Sequence, residues 1–218
     1  MFRLLHIAIC LLRLFAVLEL VDAGYSSNNF KSFLFGESVK LADTAFGVQD
    51  IRADFDKHIA EKWNADDIKQ SIVEYENNVL VYLNEYLFAK NKGYDFALGA
   101  KYDIEHIMPK SGTNLDIIRK DAQIDTKEEF YDYVDMLGNK IVLESKINRS
   151  IGNEWFRGKV STSVNNKTGY KDSKYPIATD LVKKYENDIK PYWCKQDIID
   201  ATEKAKDRIT KFIFGIEE

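Results

Sequence analysis

The sequence YDIEHIMPKS occupies residues 102–111, in the middle of a chain of 218 residues. Its first half alternates in the way that is typical of a β-strand with two unlike faces. Pro109 cannot donate to a strand ladder and should end the strand. On such a strand Asp103 and Glu105 point to one face and His106 to the other, so a bend at the strand end is needed before they can serve one site.

The composition indicates a folded protein and excludes some kinds of site. Hydrophobic residues make up 45% of the chain and only three residues are proline, which suits a packed core without a long disordered linker. The two cysteines, Cys10 and Cys194, are far apart and form no CxxC motif. This excludes a cysteine-based zinc knuckle and favours a reducing compartment. A net charge of −4 gives no reason by itself to expect nucleic acid.

The N-terminal segment, residues 1–24, has two interpretations. An early basic residue, an apolar stretch and a small-residue end resemble a secretory signal. Arg13 and Glu19 interrupt the apolar run, however, and its uninterrupted parts are too short to span a bilayer. An amphipathic or buried helix is therefore favoured, which predicts a cytoplasmic protein without a membrane segment, and a cleaved signal remains the alternative.

The order of the predicted elements gives the fold class. The first hundred residues are mostly helical, with Asn64 as an N-cap, Gly93 as a helix exit and His58 as a packed or surface histidine. After the strand at residue 102 come a polar stretch, a helix that Gly138 breaks, a second strand and further helices. The sequence thus predicts a predominantly helical α+β protein. The chain is predicted to divide into three regions, at residues 1–97, 98–165 and 166–218.

A basic segment and two asparagines later in the chain extend the candidate site around His106. Residues 139–195 contain 12 lysines and arginines against 6 acidic residues, which a phosphate backbone or ordinary solvated helix faces would explain equally. Asn139 starts the second strand and Asn148 enters the next helix. A turn or a cap would explain each alone, and a ligating task would explain both. Carboxylate and amide oxygens suit Mg²⁺, and His106 without a zinc partner suits a general base.

These motifs resemble a known family. A strand with acid-His-Ile-x-Pro, followed by GNKIVL and by KINR at a helix start, is similar to the ββα-metal fold of HNH endonucleases, including the HNH domain of RNA-guided CRISPR nucleases. The whole run resembles the C-terminal nuclease domain of GmrSD-type modification-dependent restriction enzymes, the DUF1524 group. It covers about residues 100–160. The resemblance implies an embedded ββα-metal (HNH-like) core within residues 98–165, with C-terminal helices packing on it.

The resemblance also implies a role for each motif position. His106 would be the general base that activates water. Glu105 would be the acidic metal ligand and Asn148 the second, catalytic ligand, with Asp103 as a supporting acid in the metal site. Asn139 would complete the catalytic set by orienting the histidine or its loop.

The remaining implied roles concern DNA and partners. Lys159 and Arg149 would contact DNA phosphate, and Phe156 would belong to the core. The implied activity is that of a DNA endonuclease that uses one Mg²⁺ or Mn²⁺ ion, acting on DNA, base-modified or not, in restriction or phage defence. The ParB-like (DUF262) domain usual in the family is expected on a longer chain or a partner. The alternative function is a non-catalytic remnant that binds nucleic acid or a partner protein.

Overall fold

The computed structural model describes residues 2–26, 28–43, 46–160, 168–185 and 192–216. The described part of the chain is mostly helical with one two-stranded sheet, so the predicted α+β class is confirmed. Contacts divide the chain into two compact units. The first contains residues 1–75 and 209–218, and the second contains residues 76–208.

The first unit is helical. Helix α1 (Phe2–Leu20) packs against α3 (Val48–Lys62) and α4 (Ala65–Glu74), and α3 buries Ile51, Phe55 and Ile59 at helical spacing. Asn64 caps α4 through its side chain, as predicted, and His58 is packed on Phe33 with a ring nitrogen 2.9 Å from a backbone oxygen. Its elements are α1 (Phe2–Leu20), a π-helical turn (Asn28–Ser32), α2 (Phe33–Lys40), α3 (Val48–Lys62) and α4 (Ala65–Glu74). Among the residues described, no helix is long and apolar enough to cross a membrane.

The second unit holds the sheet and the helices around it. Its elements are α5 (Val79–Asn91), β1 (Tyr102–His106), α6 (Leu115–Asp121), α7 (Lys127–Val134), a 3₁₀ turn (Leu137–Asn139), β2 (Lys140–Glu144), α8 (Ser145–Ile151), α9 (Phe156–Val160), a 3₁₀ turn (Tyr170–Asp172), α10 (Pro176–Tyr185) and α11 (Lys195–Phe214). The part of α11 after residue 208 belongs to the first unit.

The two strands pair in antiparallel register and bring the ends of the motif together. Ile104 lies opposite Val142, and His106 lies opposite Lys140. β1 ends at His106, three residues before Pro109, so the predicted strand end is confirmed. Helix α8 follows β2 without a loop and packs on both strands. The site residues of β1 and α8 are therefore neighbours in space.

Burial divides the side chains of the sheet into two sets. Val142 and Ile104 pack with Tyr175 on one side, and Ile141 and Leu143 belong to the larger core on the other. This alternation is what the period of a strand requires. The larger core also contains the helical residues of α7 to α10, including a fully buried Phe156, so the predicted core role of that residue is confirmed.

Gly138 is required by a close approach of two backbones. A Cβ atom at this position would lie 2.3 Å from the carbonyl oxygen of Ile198 in α11. Its N–H donates to Thr202 Oγ1 at 3.0 Å. The predicted break after α7 therefore has a packing reason, because only glycine lets α11 approach the turn that begins β2.

The three predicted parts of the chain stay a prediction. The boundary at residues 165 and 166 lies outside the described residues. Helices α5 and α10, which the sequence assigns to the two flanking parts, lie in the same compact unit as both strands.

Candidate active site

An open cleft of about 310 Å³ lies between the end of β1 and the C-terminal half of α8. Five of the seven predicted site residues line it: Glu105, His106, Asn148, Arg149 and Lys159. A smaller cavity of about 140 Å³ lies among residues of α5, α10 and α11 and is lined by none of the seven. The larger cleft is therefore the candidate site.

Asp103 joins β1 to the start of α8. Its carboxylate accepts from Ser145 Oγ at 2.8 Å and from Asn148 Nδ2 at 3.2 Å. Because the amide nitrogen of Asn148 is used in this way, the amide oxygen is the atom left to act as a ligand. Asp103 thus acts on Asn148 and does not itself line the cleft.

Glu105 is buried and is held by two donors. Lys159 Nζ and Tyr170 Oη both donate to Oε1, the latter at 3.0 Å. Glu105 is 5% exposed, Lys159 1% and Tyr170 0%. Burial lowers the pKa of Lys159 and raises the pKa of Tyr170 well above its ordinary value, so the hydroxyl stays protonated and can donate.

Lys159 uses all of its hydrogens inside the protein. Besides Glu105, its ammonium group donates to the carbonyl oxygens of His106 at 2.7 Å and of Ile107 at 3.1 Å. An ammonium group has three N–H donors, and all three are matched here. The phosphate contact implied by the resemblance would require Lys159 to leave these partners, whereas Arg149 is exposed at the cleft.

His106 reaches the cleft with its side chain 25% exposed. Its Nε2 is buried without a hydrogen-bond partner, and Asp135 Oδ1 is 3.5 Å away. Burial lowers the pKa of His106, and nearby Lys140 lowers it further, while Asp135 opposes both effects. The net shift is downward, so the imidazole is neutral near pH 7, as a general base must be.

Asp135 is shared between His106 and two lysines. Lys110 Nζ contacts both carboxylate oxygens, at 2.8 and 2.7 Å, and Lys140 Nζ is 3.8 Å from Oδ1. Partial burial raises the pKa of Asp135, but Lys110 and the other cations lower it more. The carboxylate is therefore ionised at neutral pH.

Asn139 is fully buried and fixes the backbone that follows His106. Its Oδ1 accepts from the Met108 N–H at 2.7 Å, and its Nδ2 donates to the carbonyl oxygens of Met108 at 3.0 Å and Val134 at 2.9 Å. Its own carbonyl accepts from the Ile107 N–H. This is the geometry of a positioning residue, since the side chain has no surface from which to touch a substrate.

The oxygen donors at the cleft have the chemistry that Mg²⁺ prefers. Lys159 and Tyr170 both use Oε1 of Glu105, which leaves Oε2 as the oxygen that could approach an ion. Asn148 adds an amide oxygen. Within the described ranges, no three His, Cys, Asp or Glu side chains form a metal cluster. A site with one carboxylate and one amide fits Mg²⁺, which retains several waters and takes ligands from substrate phosphate.

Sequence reasoning did not find several residues of this site. Asp135 is 29 positions from His106 and Tyr170 is 65 positions from Glu105, so spacing carries no sign of either contact. Lys110 lies within the quoted motif stretch, and its place beside Pro109 is the one signal that could have drawn attention to it. Ser145 stands at the start of a helix, and that position is the signal that could have drawn attention to it.

The geometry defines a class of protein, an α+β domain with a strand-end histidine, oxygen donors and cations at one open cleft. A family model described as "GmrSD restriction endonucleases, C-terminal domain" matches residues 53–211. The chain belongs to this family, so the resemblance seen in the motifs is confirmed. No curated protein and no solved structure matches the chain.

Proposed function

We propose that the protein is a metal-dependent DNA endonuclease of the HNH type, acting in restriction or phage defence. The observation that carries this proposal is the convergence of Glu105, His106 and Asn148 on one cleft in a member of a restriction endonuclease family. Strand β1, strand β2 and helix α8 would form its ββα-metal core, with the ligands on β1 and α8.

His106 would act as the general base. A neutral imidazole at the cleft can accept a proton from a water that attacks the phosphorus atom in line with the leaving oxygen. General base catalysis of this kind contributes roughly 10²–10⁴-fold to a rate. Asn139 and Lys159 would hold the backbone at residues 106–108 so that the imidazole keeps its position in the cleft.

Glu105 and Asn148 would hold one Mg²⁺ or Mn²⁺ ion, and Asp103 would orient the amide of Asn148. Such an ion, when bound, stabilises the charge that develops on the phosphate and on the leaving oxygen. The buried partners of Glu105 keep its carboxylate in one orientation, which favours binding because less freedom is lost when a ligand is fixed beforehand.

DNA would be held by cations at the edge of the cleft. Arg149 is exposed at the cleft, and Lys110 lines it with a side chain that is 50% exposed. A guanidinium group matches a phosphate with two parallel N–H donors, so Arg149 is the stronger candidate for a specific contact. The proposed substrate is DNA, either unmodified or base-modified, and both kinds are to be tested.

The experiment is plasmid cleavage by the purified chain with Mg²⁺, with Mn²⁺ and with EDTA, on unmodified DNA and on DNA with modified cytosine. We expect nicking or linearisation that needs the ion, and a difference between the two DNAs would show dependence on modification. A well-folded protein that binds DNA but cuts neither would contradict the proposal and favour the non-catalytic alternative.

A further inference from the structure

The structure leaves one atom of the proposed base without a partner. Nε2 of His106 is buried and makes no hydrogen bond. Buried polar atoms in proteins are nearly always paired, so such an atom needs an explanation. The carboxylate of Asp135 is 3.5 Å away, which is too long for a good hydrogen bond and close enough to become one after a small movement.

Lys110 holds the Asp135 carboxylate that His106 would need for a hydrogen bond. It binds both oxygens of Asp135, at 2.7 and 2.8 Å, and thereby competes with His106 for the same carboxylate. Asp135 can respond to a change of partner, because its side chain is 45% exposed and it follows the end of α7. Lys110 also lines the cleft, where a DNA phosphate would offer its ammonium group another anion.

We propose that Asp135 is a positioning residue for His106 and that Lys110 controls it. When a phosphate engages Lys110, the carboxylate turns to Nε2 and accepts its proton in a hydrogen bond. The imidazole is then held with Nε2–H toward Asp135 and with the lone pair of Nδ1 available to a water in the cleft. The base is completed only when DNA is bound. This inference rests on the proposed function of His106 as the base.

The chemical need for such a residue is general. An imidazole that is free to rotate or to change tautomer directs its lone pair away from the attacking water for part of the time. A carboxylate on the opposite nitrogen fixes both the tautomer and the ring plane. It also stabilises the imidazolium that forms when the base takes a proton. No bond is made or broken in the switch itself, because one ion pair is exchanged for a phosphate contact and a hydrogen bond.

A proton resonance can test the switch without any cleavage. The chain has three histidines, and His106→Ala identifies the signals of His106 in protein with ¹⁵N-labelled histidine. We expect a downfield imidazole N–H signal, protected from exchange with water, when a short DNA duplex is added in EDTA. Lys110→Met should show this signal without DNA, and Asp135→Ala should lack it in both states. Its persistence in Asp135→Ala, or its absence from Lys110→Met and from the DNA complex, would overturn the proposal.

Kinetics supply the second readout. Asp135→Ala should lower kcat roughly 10–100-fold, by analogy with the loss of the hydrogen-bond partner of a metal-bound histidine, with little change in KM for DNA. Asp135→Asn should recover part of the loss because its amide oxygen can still accept from Nε2. The control is Asp132→Ala, an exposed aspartate on α7, which should keep the wild-type kcat. An equal effect of the two alanine variants would overturn the positioning role.

The two proposals fail in different ways. A wild-type protein that shows the Asp135-dependent N–H signal but cuts no DNA supports the positioning contact and contradicts the nuclease function. A protein that cuts DNA with a kcat that Asp135→Ala leaves unchanged overturns the positioning role alone.

Discussion

Two clusters of charged and polar side chains lie beside β1, and they differ in how deeply they are buried. Glu105 is paired with Lys159 and Tyr170 in the interior, where all three side chains are at most 5% exposed. The next residue, His106, faces Asp135 and Lys110 near the surface, where the partners are about half exposed. Successive residues of one strand thus enter opposite environments.

Because of this difference in burial, the interior cluster can keep its side chains in one arrangement, whereas the surface cluster can rearrange. Charges in the interior are costly to separate, because each would be left unpaired in a medium of low polarity. Charges near the surface exchange partners at little cost, because water and salt screen them. The interior cluster therefore fixes the proposed metal ligand, and the surface cluster can respond to a substrate.

Removing the interior cation is expected to have the largest effect on stability. Lys159→Met keeps most of the side-chain volume and leaves Glu105 buried without its partner, so unfolding should cost about 3–5 kcal/mol less than in the wild type. The measurement is urea denaturation. The matched change at the surface, Lys110→Met, should stay within about 1 kcal/mol.

The double variant Lys159→Met with Glu105→Gln gives the control for this comparison. It removes both charges and should recover part of the lost stability, because no unpaired carboxylate remains. Equal losses for Lys159→Met and Lys110→Met would show that the two clusters do not differ as the structure indicates.

Glu85 differs from Glu105 because it is a buried carboxylate with no ammonium group bonded to it among its described contacts. It accepts from the Ile177 N–H at 2.8 Å, and burial raises its pKa from 4.5 to about 8. The folded state therefore keeps a proton that the unfolded state releases above pH 4.5. Stability should fall as the pH rises from about 4.5 to 8, by on the order of a few kcal/mol.

Glu85→Gln should abolish this part of the pH dependence, since an amide does not titrate. The measurement is the free energy of unfolding in urea at pH 5, 7 and 9 for both proteins. A wild-type protein that is as stable at pH 9 as at pH 5, or a variant with the same decline, would contradict the raised pKa.

The smallest expected effect concerns an exposed cation of the cleft. Arg149→Gln should leave stability within about 0.5 kcal/mol, as is usual for a surface change. It should weaken DNA binding and lower the slope of log affinity against log salt by about 1, the loss of one phosphate contact. Fluorescence anisotropy over a range of salt concentrations measures both. An unchanged slope would remove Arg149 from the DNA contact.

The sequence predicted the local features of the fold because they depend on neighbouring residues. The strand does not reach Pro109, whose nitrogen has no hydrogen to donate to a ladder, and the cap at Asn64 follows from its side-chain oxygen. The grouping of Glu105, His106 and Asn148 came from the family resemblance, and their common place at one cleft agrees with it.

The rest of the site depends on contacts between distant parts of the chain. No local rule indicates that Tyr170 bonds to Glu105 or that Asp135 faces His106. The residue type of Lys159 was equally compatible with a phosphate contact and with an interior ion pair. Only tertiary packing decides between them, because burial converts a surface cation into a structural one.

The role of His106 is tested by comparing the wild type with His106→Ala in two assays on the same protein preparations. Single-turnover cleavage of a DNA duplex in Mg²⁺ should slow by roughly 10²–10⁴-fold in the variant. DNA affinity in EDTA and the urea midpoint should stay at their wild-type values, since His106 is not part of the buried core. Cleavage by His106→Ala at the wild-type rate would show that the strand ending at residue 106 does not present the base of a nuclease.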